Sequence, residues 1–359
     1  MSIATPKLHQ ALPSYLGGKR RLLPWIAGAL HSVCPRATWE QLTFIDAFMG
    51  GGTVSLWARQ QGFRAVLTND VSARSNLIGR ALFTPGAAKL TPADGLWLTQ
   101  PLPEGAGWIE TTYAPAVFSS RHAKLLDTGF YWATRHPNSR KRPLLALVMW
   151  HLANTCVAFS TSLGTSNRPM AEALDGLRDW ATISPKRFSD GSIQQLCQPS
   201  WAMLPRILQR VNAGLCGGSP VTLSQADALT WLPTVQGDVL YADPPYCDTA
   251  NYERSNAVLD SLLAGENSTT ALPVSPFSKG LDAVHDLLDA AQHIPIWLLS
   301  YGNKQMSCED LVALVKQHAG AREVVGFSKA YRHMTHVSRA VNNQELLIVA
   351  YPKTRGVGS

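Results

Sequence analysis

The chain has 359 residues, 45% of them hydrophobic and only 16% charged, a composition that fits a globular protein with a real core and excludes a disordered chain. Its formal net charge of +7 fits a polyanionic partner, and no apolar run reaches the roughly 18–20 residues that a bilayer span requires. Six cysteines, Cys34, Cys156, Cys197, Cys216, Cys247 and Cys308, lie far apart without a C-x-x-C pair, so free thiols are expected and a metal site is not.

The length suits one α/β domain with a sizeable insertion, or two domains. The opening "MSIATPKLHQALP" lacks a basic segment followed by an apolar one, so no signal peptide and a cytoplasmic location are expected. In "SYLGGKRRLLPWIAGALHSV", Gly17-Gly18 breaks the chain, and Leu22, Leu23, Ile26, Ala27 and Leu30 then follow helical spacing. Leu42 to Ile45 reads as a short buried strand, Gly50-Gly51-Gly52 as a loop, and Thr53 to Gln61 as a helix with Gly62 as its C-cap. "RAVLTND" is a second strand ending on Asn69-Asp70, followed by the helical "VSARSNLIGRALF".

From about Thr84 to Gly107 the chain is rich in proline and glycine, the mark of a loop or lobe boundary. Residues Tyr113 to Leu215 are mostly helical in pattern and carry the basic cluster "RHPNSRKRP". "PVTLSQADALTWL" reads as strand, loop and short helix, and "DVLYADPPY" as a strand ending in a loop. A polar insert follows from Glu253 to Ser278, then a helix in "LDAVHDLLDAAQ" and strands in "PIWLLSYGN" and "QELLIVAYP". Alternating strands and helices predict a parallel, doubly wound sheet. Residues 1–83 and 220–359 form this α/β body, and residues 84–219 form an inserted helical lobe.

In such sheets ligands bind at the carboxyl ends of strands. The turn "DAFMGGGT" lets backbone approach a ligand closely. It is neither a Walker A loop nor a G-x-G-x-x-G, and it suits an adenosine-type ligand without a pyrophosphate. Asp70 closes the next strand, where an acid can hold ribose hydroxyls. The plainer alternative makes the glycines a tight turn and Asp70 a helix N-cap. In "LYADPPY", Pro244 and Pro245 fix two φ angles and remove two donors, and Asp243 is pushed towards an extended conformation. A stiff acceptor beside the flat face of Tyr246 suits a planar group with an exocyclic amine, such as an extruded nucleobase.

The order "YLGGKRRLLPWI", "FIDAFMGGGTVSL", "LTND" and "YADPPY" resembles the Dam-type adenine-N6 DNA methyltransferases, the alpha group of amino-methyltransferases with a DPPY motif. "FYWATRHPNSRKRPLLALVMWHLANTCVAFSTSLGTSNRP" resembles a drifted form of the family's central segment, and "NNQELLIVAYP" its closing strand. The resemblance implies a Rossmann-like methyltransferase sheet with an inserted target-recognition lobe, and S-adenosylmethionine as methyl donor. It places Tyr15 and Lys19 near the donor's methionine part. Asp46, Phe48, Gly50, Gly51 and Gly52 form its cradle, Asp70 holds its ribose, and Asp227 takes its adenine amine. It makes Asp243, Pro244, Pro245 and Tyr246 the catalytic corner, with Asp243 also beside the donor and Tyr246 stacked on the flipped base.

Double-stranded DNA is the implied substrate. Arg135, Arg140, Lys141 and Arg142 suit phosphate contacts, and Asn167 and Arg168 can read base edges. The resemblance also allows a cognate restriction endonuclease as partner, and a monomer or weak dimer. The family's glycine-phenylalanine-asparagine-valine-proline stretch is absent, which leaves the target sequence open. Alternatives are an RNA or cytosine-N4 amino-methyltransferase, and a catalytically inactive DNA-binding relative. "KAYRHMTHVSRAVNN" (Lys329 to Asn343) is basic and aromatic and is a further candidate for DNA contact. His151, His285, His333 and His336 read as structural or surface residues.

Overall fold

The computed structural model describes residues 8–13, 15, 17–86, 88–114, 117–118, 120–156, 200–247, 252–266, 275–330 and 343–353. Among the described residues seven strands form one sheet: β1 (Thr43–Asp46), β2 (Ala65–Asn69), β3 (Val221–Ser224), β4 (Val239–Ala242), β5 (Ile296–Gly302), β6 (Arg322–Ala330) and β7 (Gln344–Pro352). Their order is β3-β2-β1-β4-β5-β7-β6. The first five run parallel, as expected. β7 enters antiparallel between β5 and β6. The chain steps outwards from β1 through β2 to β3 and then restarts on the other side of β1 with β4. The order therefore reverses between β1 and β4, which is where doubly wound sheets bind ligands.

Period-two alternation divides the strand residues between two apolar layers. Phe44, Val66, Val239, Tyr241, Leu298, Leu347 and Val349 face helix α1 (Leu23–Val33) and helix α2 (Thr53–Gln61), in a cluster with Trp39, Trp57 and Phe63. Ile45, Leu240, Ala242, Trp297, Leu299, Leu346 and Ile348 face the opposite layer. The sequence places β1, α2, β2 and β4 to within about two residues, because the buried runs are short and are bounded by glycine, proline or acid.

Helix α3 (Ala73–Leu82) starts at Ser72, whose side chain accepts from the Ser75 N–H. The following helices are α4 (Pro92–Trp97), α5 (Ile109–Tyr113), α6 (Ser120–Arg135), α7 (Arg142–Cys156) and α8 (Leu204–Ala213). A single apolar cluster runs from Leu8, Leu12, Leu77, Ile78 and Leu82 into Leu126, Leu145, Trp150 and Ile207. The helical lobe thus shares its core with α3 and with the 3-10 turn Leu8–Ala11.

Helix α9 (Ala228–Trp231) follows β3, helix α10 (Tyr252–Ala264) follows the β4 corner, and helices α11 (Asp282–Ala290) and α12 (Cys308–His318) complete the body. The stretch that the sequence shows only as a polar insert after β4 holds α10. Leu259 and Leu262 of α10 are buried in the lobe cluster, and three-residue spacing is helical. The sequence reading also passed over α12 and β6. Ser307 and Asp310 form a capping box, so the signal for α12 was present. β6 is an edge strand of mixed burial interrupted by Gly326, which blurs its alternation.

Phe44 is fully buried in central β1, against Trp57 and Phe63. Phe44→Ala is expected to cost about 3–5 kcal/mol, read as a lowered midpoint in urea unfolding without change of slope.

Candidate active site

A cleft of about 300 Å³ opens at the β1–β4 switch point. Tyr15, Lys19, Asp46, Phe48, Gly50, Gly51, Asp70, Asp227, Asp243, Pro244 and Pro245 all line it, so residues far apart in sequence meet in one place. Gly52 does not line it. Gly52 has φ +73° and caps α2, and a Cβ there would face Ile78, so its role is in the turn. Gly51 is required by a close approach, since a Cβ there would stand 2.7 Å from Tyr15 Cβ.

Asp70 ties this turn to the end of β2. Its Oδ2 accepts the Gly50 N–H at 2.7 Å, and its Oδ1 accepts the Ser72 N–H and hydroxyl at 2.8 Å each. Ser72, not Asp70, caps α3. A carboxylate has about four acceptor sites, so Asp70 keeps capacity for a ligand beyond these bonds. Asp227 is the N-cap of α9, where its side chain accepts from the Leu229 and Thr230 N–H groups.

Asp46 ends β1 and is buried. Its Oδ2 accepts the Ser55 hydroxyl at 2.6 Å, and its Oδ1 has no partner among the described residues. Burial pushes its pKa up to about 7, with Asp243 and Asp70 adding like charge and the Ser55 bond opposing. Tyr15 Oη lies 3.2 Å from Ser75 Oγ. Arg74 Nε donates to Tyr15 Oη at 3.4 Å, and Arg74 pairs with Asp260 of α10 at 2.6 Å. The sequence reading missed Arg74, which lines the cleft and fastens α3 to α10.

The corner after β4 rests on a buried polar network. Lys19 Nζ is 2.8 Å from Asp243 Oδ2 and 3.3 Å from Glu345 Oε1, and it donates to the Gly17 carbonyl at 3.0 Å. The Glu345 side chain is 1% exposed and that of Lys19 5%. Glu345 Oε1 also accepts the Tyr246 hydroxyl at 2.5 Å and the Ser300 hydroxyl at 2.7 Å. The pKa of Asp243 is raised to about 6: burial is the main cause, Lys19 opposes it, and Glu345 adds to it.

Tyr246 departs from expectation. It does not line the cleft. The residue is 7% exposed, and its ring lies 4.9 Å from the Tyr301 ring. A Cβ on Gly302 would come within 2.9 Å of it. The hydroxyl points inwards, because the buried Glu345 offers a charged acceptor. Tyr246 therefore presents no open stacking face in this structure, and the rim of the corner is Asp243-Pro244-Pro245. Glu345 was legible only as an acid heading an apolar strand, and Ser300 and Gly302 had no signal before the strands were paired.

The basic cluster divides in a similar way. Arg135 is exposed and its guanidinium lies 3.8 Å over the Tyr131 ring, and Arg140 is also exposed. Lys141 is not a free phosphate contact. It pairs with Asp94 at 2.8 Å, and His136 Nε2 lies 3.0 Å from the same carboxylate. Arg142 Nε donates to the His136 carbonyl at 2.8 Å. The run folds around the turn between α6 and α7, and this turns part of it inwards. Asn167, Arg168, His333, His336 and most of the Lys329–Asn343 stretch lie outside the described residues. Burial lowers the pKa of His151 to about 4, and its Nε2 lies 2.8 Å from the Ala11 carbonyl oxygen. His285 Nδ1 lies 2.8 Å from His318 Nε2.

Chemically, the cleft favours a cation. Asp46, Asp70, Asp227 and Asp243 face it, while its two basic residues, Lys19 and Arg74, are each ion-paired to a carboxylate. Its stiff rim carries an acceptor, and its glycine turn admits close backbone contact.

Three comparisons bear on this geometry. Residues 15–91 match the family model described as D12 class N6 adenine-specific DNA methyltransferase. Over 346 residues, 94% of this chain and 96% of the relative, the chain is 21% identical to the type II methyltransferase M2.HphI of Haemophilus parahaemolyticus. Among solved structures it aligns with a SAM-dependent methyltransferase from Agrobacterium tumefaciens at 12% identity and a TM-score of 0.37, over 93% of this chain and 62% of that one. The chain thus spans less than two thirds of that structure.

Lys19→Met leaves Asp243 and Glu345 buried together without their cation. Breaking such a pair is expected to cost about 3–5 kcal/mol. Urea unfolding should show the full loss at pH 8 and a smaller one at pH 5, where Asp243 carries a proton.

Proposed function

We propose that this chain, a member of the D12 class of N6 adenine-specific DNA methyltransferases, transfers a methyl group from S-adenosylmethionine to the N6 amine of an adenine extruded from DNA. One observation supports the reading above all. The glycine turn with Asp70, the buried Asp46 and the Lys19-anchored Asp243 come from separate segments and converge on one cleft at the topological switch point.

The residues present fit such a donor. Asp46 holds a buried oxygen without a partner among the described residues, the Gly50–Gly51 wall has no room for side chains beside Tyr15, and the excess of carboxylates suits a cationic ligand. Tyr15, Lys19, Asp46, Phe48, Gly50, Gly51, Asp70 and Asp227 would hold it. Such a donor would supply an electrophilic sulfonium methyl. Asp243 accepts a hydrogen of the target amine, and the Pro244 carbonyl is placed to accept the other. Together they favour a pyramidal nitrogen whose lone pair points at the methyl carbon. A donor held there would give its sulfonium methyl to the amine nitrogen with the neutral thioether as leaving group, and Asp243 would take the proton that the nitrogen loses and pass it to water. Positioning and fixed charge supply the rate.

The segment from 84 to 219 is the target-recognition region in this reading, with Arg135, Arg140 and Arg142 against phosphates; Asn167 and Arg168, which lie outside the described residues, are its candidates for reading base edges. DNA as substrate implies an intracellular location. Among the described residues no helix is long and apolar enough to cross a membrane. A restriction–modification setting, with a cognate endonuclease as partner, fits the likeness to a type II methyltransferase.

Labelled methyl donor, unmethylated DNA and digestion to nucleosides test the reading. Label on N6-methyladenine is expected, and label on cytosine, on RNA alone or on nothing defeats it. Asp243→Ala should lower transfer by at least about a thousandfold, with the donor Kd from calorimetry changed by less than about threefold. Because Asp243 is ionised only above about pH 6, kcat should fall as pH drops through that value. Asp46 ionises near 7, so a cationic donor should bind with net proton release near pH 7, and more weakly as pH falls. Calorimetry in buffers of different ionisation enthalpy reads that release, and Asp46→Asn should abolish it.

A further inference from the structure

Tyr246 Oη has two acidic neighbours, Glu345 Oε1 at 2.5 Å and Asp243 Oδ1 at 3.1 Å. A phenol carries one hydrogen and can give it to only one of them. The shorter contact takes it. Asp243 Oδ1 then faces the lone pairs of the phenol oxygen, while Asp243 Oδ2 is engaged by Lys19. Glu345 also competes for Lys19, at 3.3 Å, which keeps that cation from neutralising Asp243 alone.

We infer that Glu345 is a positioning residue for methyl transfer: by capturing the Tyr246 hydroxyl and sharing Lys19, it keeps Asp243 Oδ1 available as the acceptor for the target amine. The inference rests on the proposed reaction and adds a residue to it. Its geometry comes from the sheet. β7 runs antiparallel to β5 and pairs Glu345 with Gly302, so the first end of β7 lies at the carboxyl edge where Asp243 sits. The Asn303 side chain accepts the Gln344 N–H at 2.9 Å and the Asn303 N–H donates to the Gln344 carbonyl at 3.2 Å, which pins that end. Ser300 donates to Glu345 Oε1 from β5 and sets its direction. Glu345 Oε2 is buried without a partner among the described residues. A carboxylate held this way is costly to stability, as expected of a group retained for function.

The charged and titratable groups around Asp243 are Lys19 from the segment before α1, Asp46 from β1, Tyr241 from β4, Tyr246 from the corner and Glu345 from β7. Of these, Glu345 and Tyr246 can be altered without touching the cleft lining. Glu345→Leu frees the Tyr246 hydroxyl to donate to Asp243 and leaves Lys19 to Asp243 alone. Glu345→Gln keeps an acceptor for the phenol and removes the charge. Both changes lower the Asp243 pKa, because a neighbouring negative charge is lost.

The experiment uses the full chain, wild type, Glu345→Gln, Glu345→Leu and the double variant Glu345→Leu with Tyr246→Phe, each checked by circular dichroism. kcat and donor Kd are measured against pH, and the Asp243 carboxyl is titrated by carbon-13 NMR without ligands. Glu345→Leu should lose about 10- to 100-fold in plateau kcat, the size seen when an outer-shell partner is removed, with donor Kd nearly unchanged. Glu345→Gln should keep most of kcat. In both, the Asp243 titration and the acid limb should move below about pH 6. The double variant should recover part of the lost kcat, since no phenol remains to occupy Asp243. An unmoved Asp243 titration in Glu345→Gln overturns the inference, as does a double variant no better than Glu345→Leu. If Glu345→Leu does not fold, the Glu345→Gln titration decides alone. Failure of the wild type to methylate DNA defeats the proposed function instead, and the titration still reads the network.

Discussion

The ammonium of Lys19, held between the carboxylates of Asp243 and Glu345, is the interaction on which the site depends. A buried carboxylate in apolar surroundings would take up a proton or pull water inwards. Burial raises the pKa of Asp243 to about 6, Lys19 opposes that rise, and Glu345, which shares the one buried cation, adds to it. The proposed chemistry needs such a group: ionised at neutral pH, and basic enough to take a proton from a methylated amine. The same network explains why the corner is stiff. Pro244 and Pro245 restrict the backbone from within, and Lys19, Tyr246 and Glu345 fix the side chains from outside.

The second half of the cleft is built by a different device. Asp70 gathers the glycine turn with a backbone bond to Gly50 and holds the start of α3 through Ser72. α3 in turn carries Arg74 to Asp260 on α10 and joins the helical lobe through one continuous apolar cluster. Tyr15 packs at the junction, 6.5 Å from the Trp150 ring of α7. The wall of the cleft and the helical lobe therefore share a core. A displacement of the lobe would be felt at Tyr15 and Arg74 through packed side chains, which transmit strain because interiors are dense.

Much of the α/β body was legible in the sequence. The strands there are short apolar runs stopped by glycine, acid or proline, and such boundaries act locally. The convergence of Asp46, Asp70, Asp227 and Asp243 was legible for a related reason, while Tyr15 and Lys19, which precede α1, were placed by the resemblance alone. In a doubly wound sheet, residues at the ends of parallel strands must lie on one edge. The misreadings were non-local. α10 lies in text that looked like a polar insert, because its burial depends on the lobe. Part of the basic cluster folds inwards, because Asp94, some 47 residues earlier, captures Lys141.

By itself, then, the sequence determined the parallel core, the glycine turn, the acid-proline-proline corner and the resemblance they carry, since each rests on spacing along one stretch of chain. Only the tertiary structure decided what surrounds Asp243. Glu345 lies 102 residues beyond it in number (345 − 243) and at the opening end of its strand, where a parallel strand would have placed it on the wrong edge. The antiparallel entry of β7 brings it to the corner. Burial then turns Tyr246 away from the cleft, because a phenol enclosed beside a buried carboxylate gives its hydrogen to that charge before it offers a ring face to a ligand.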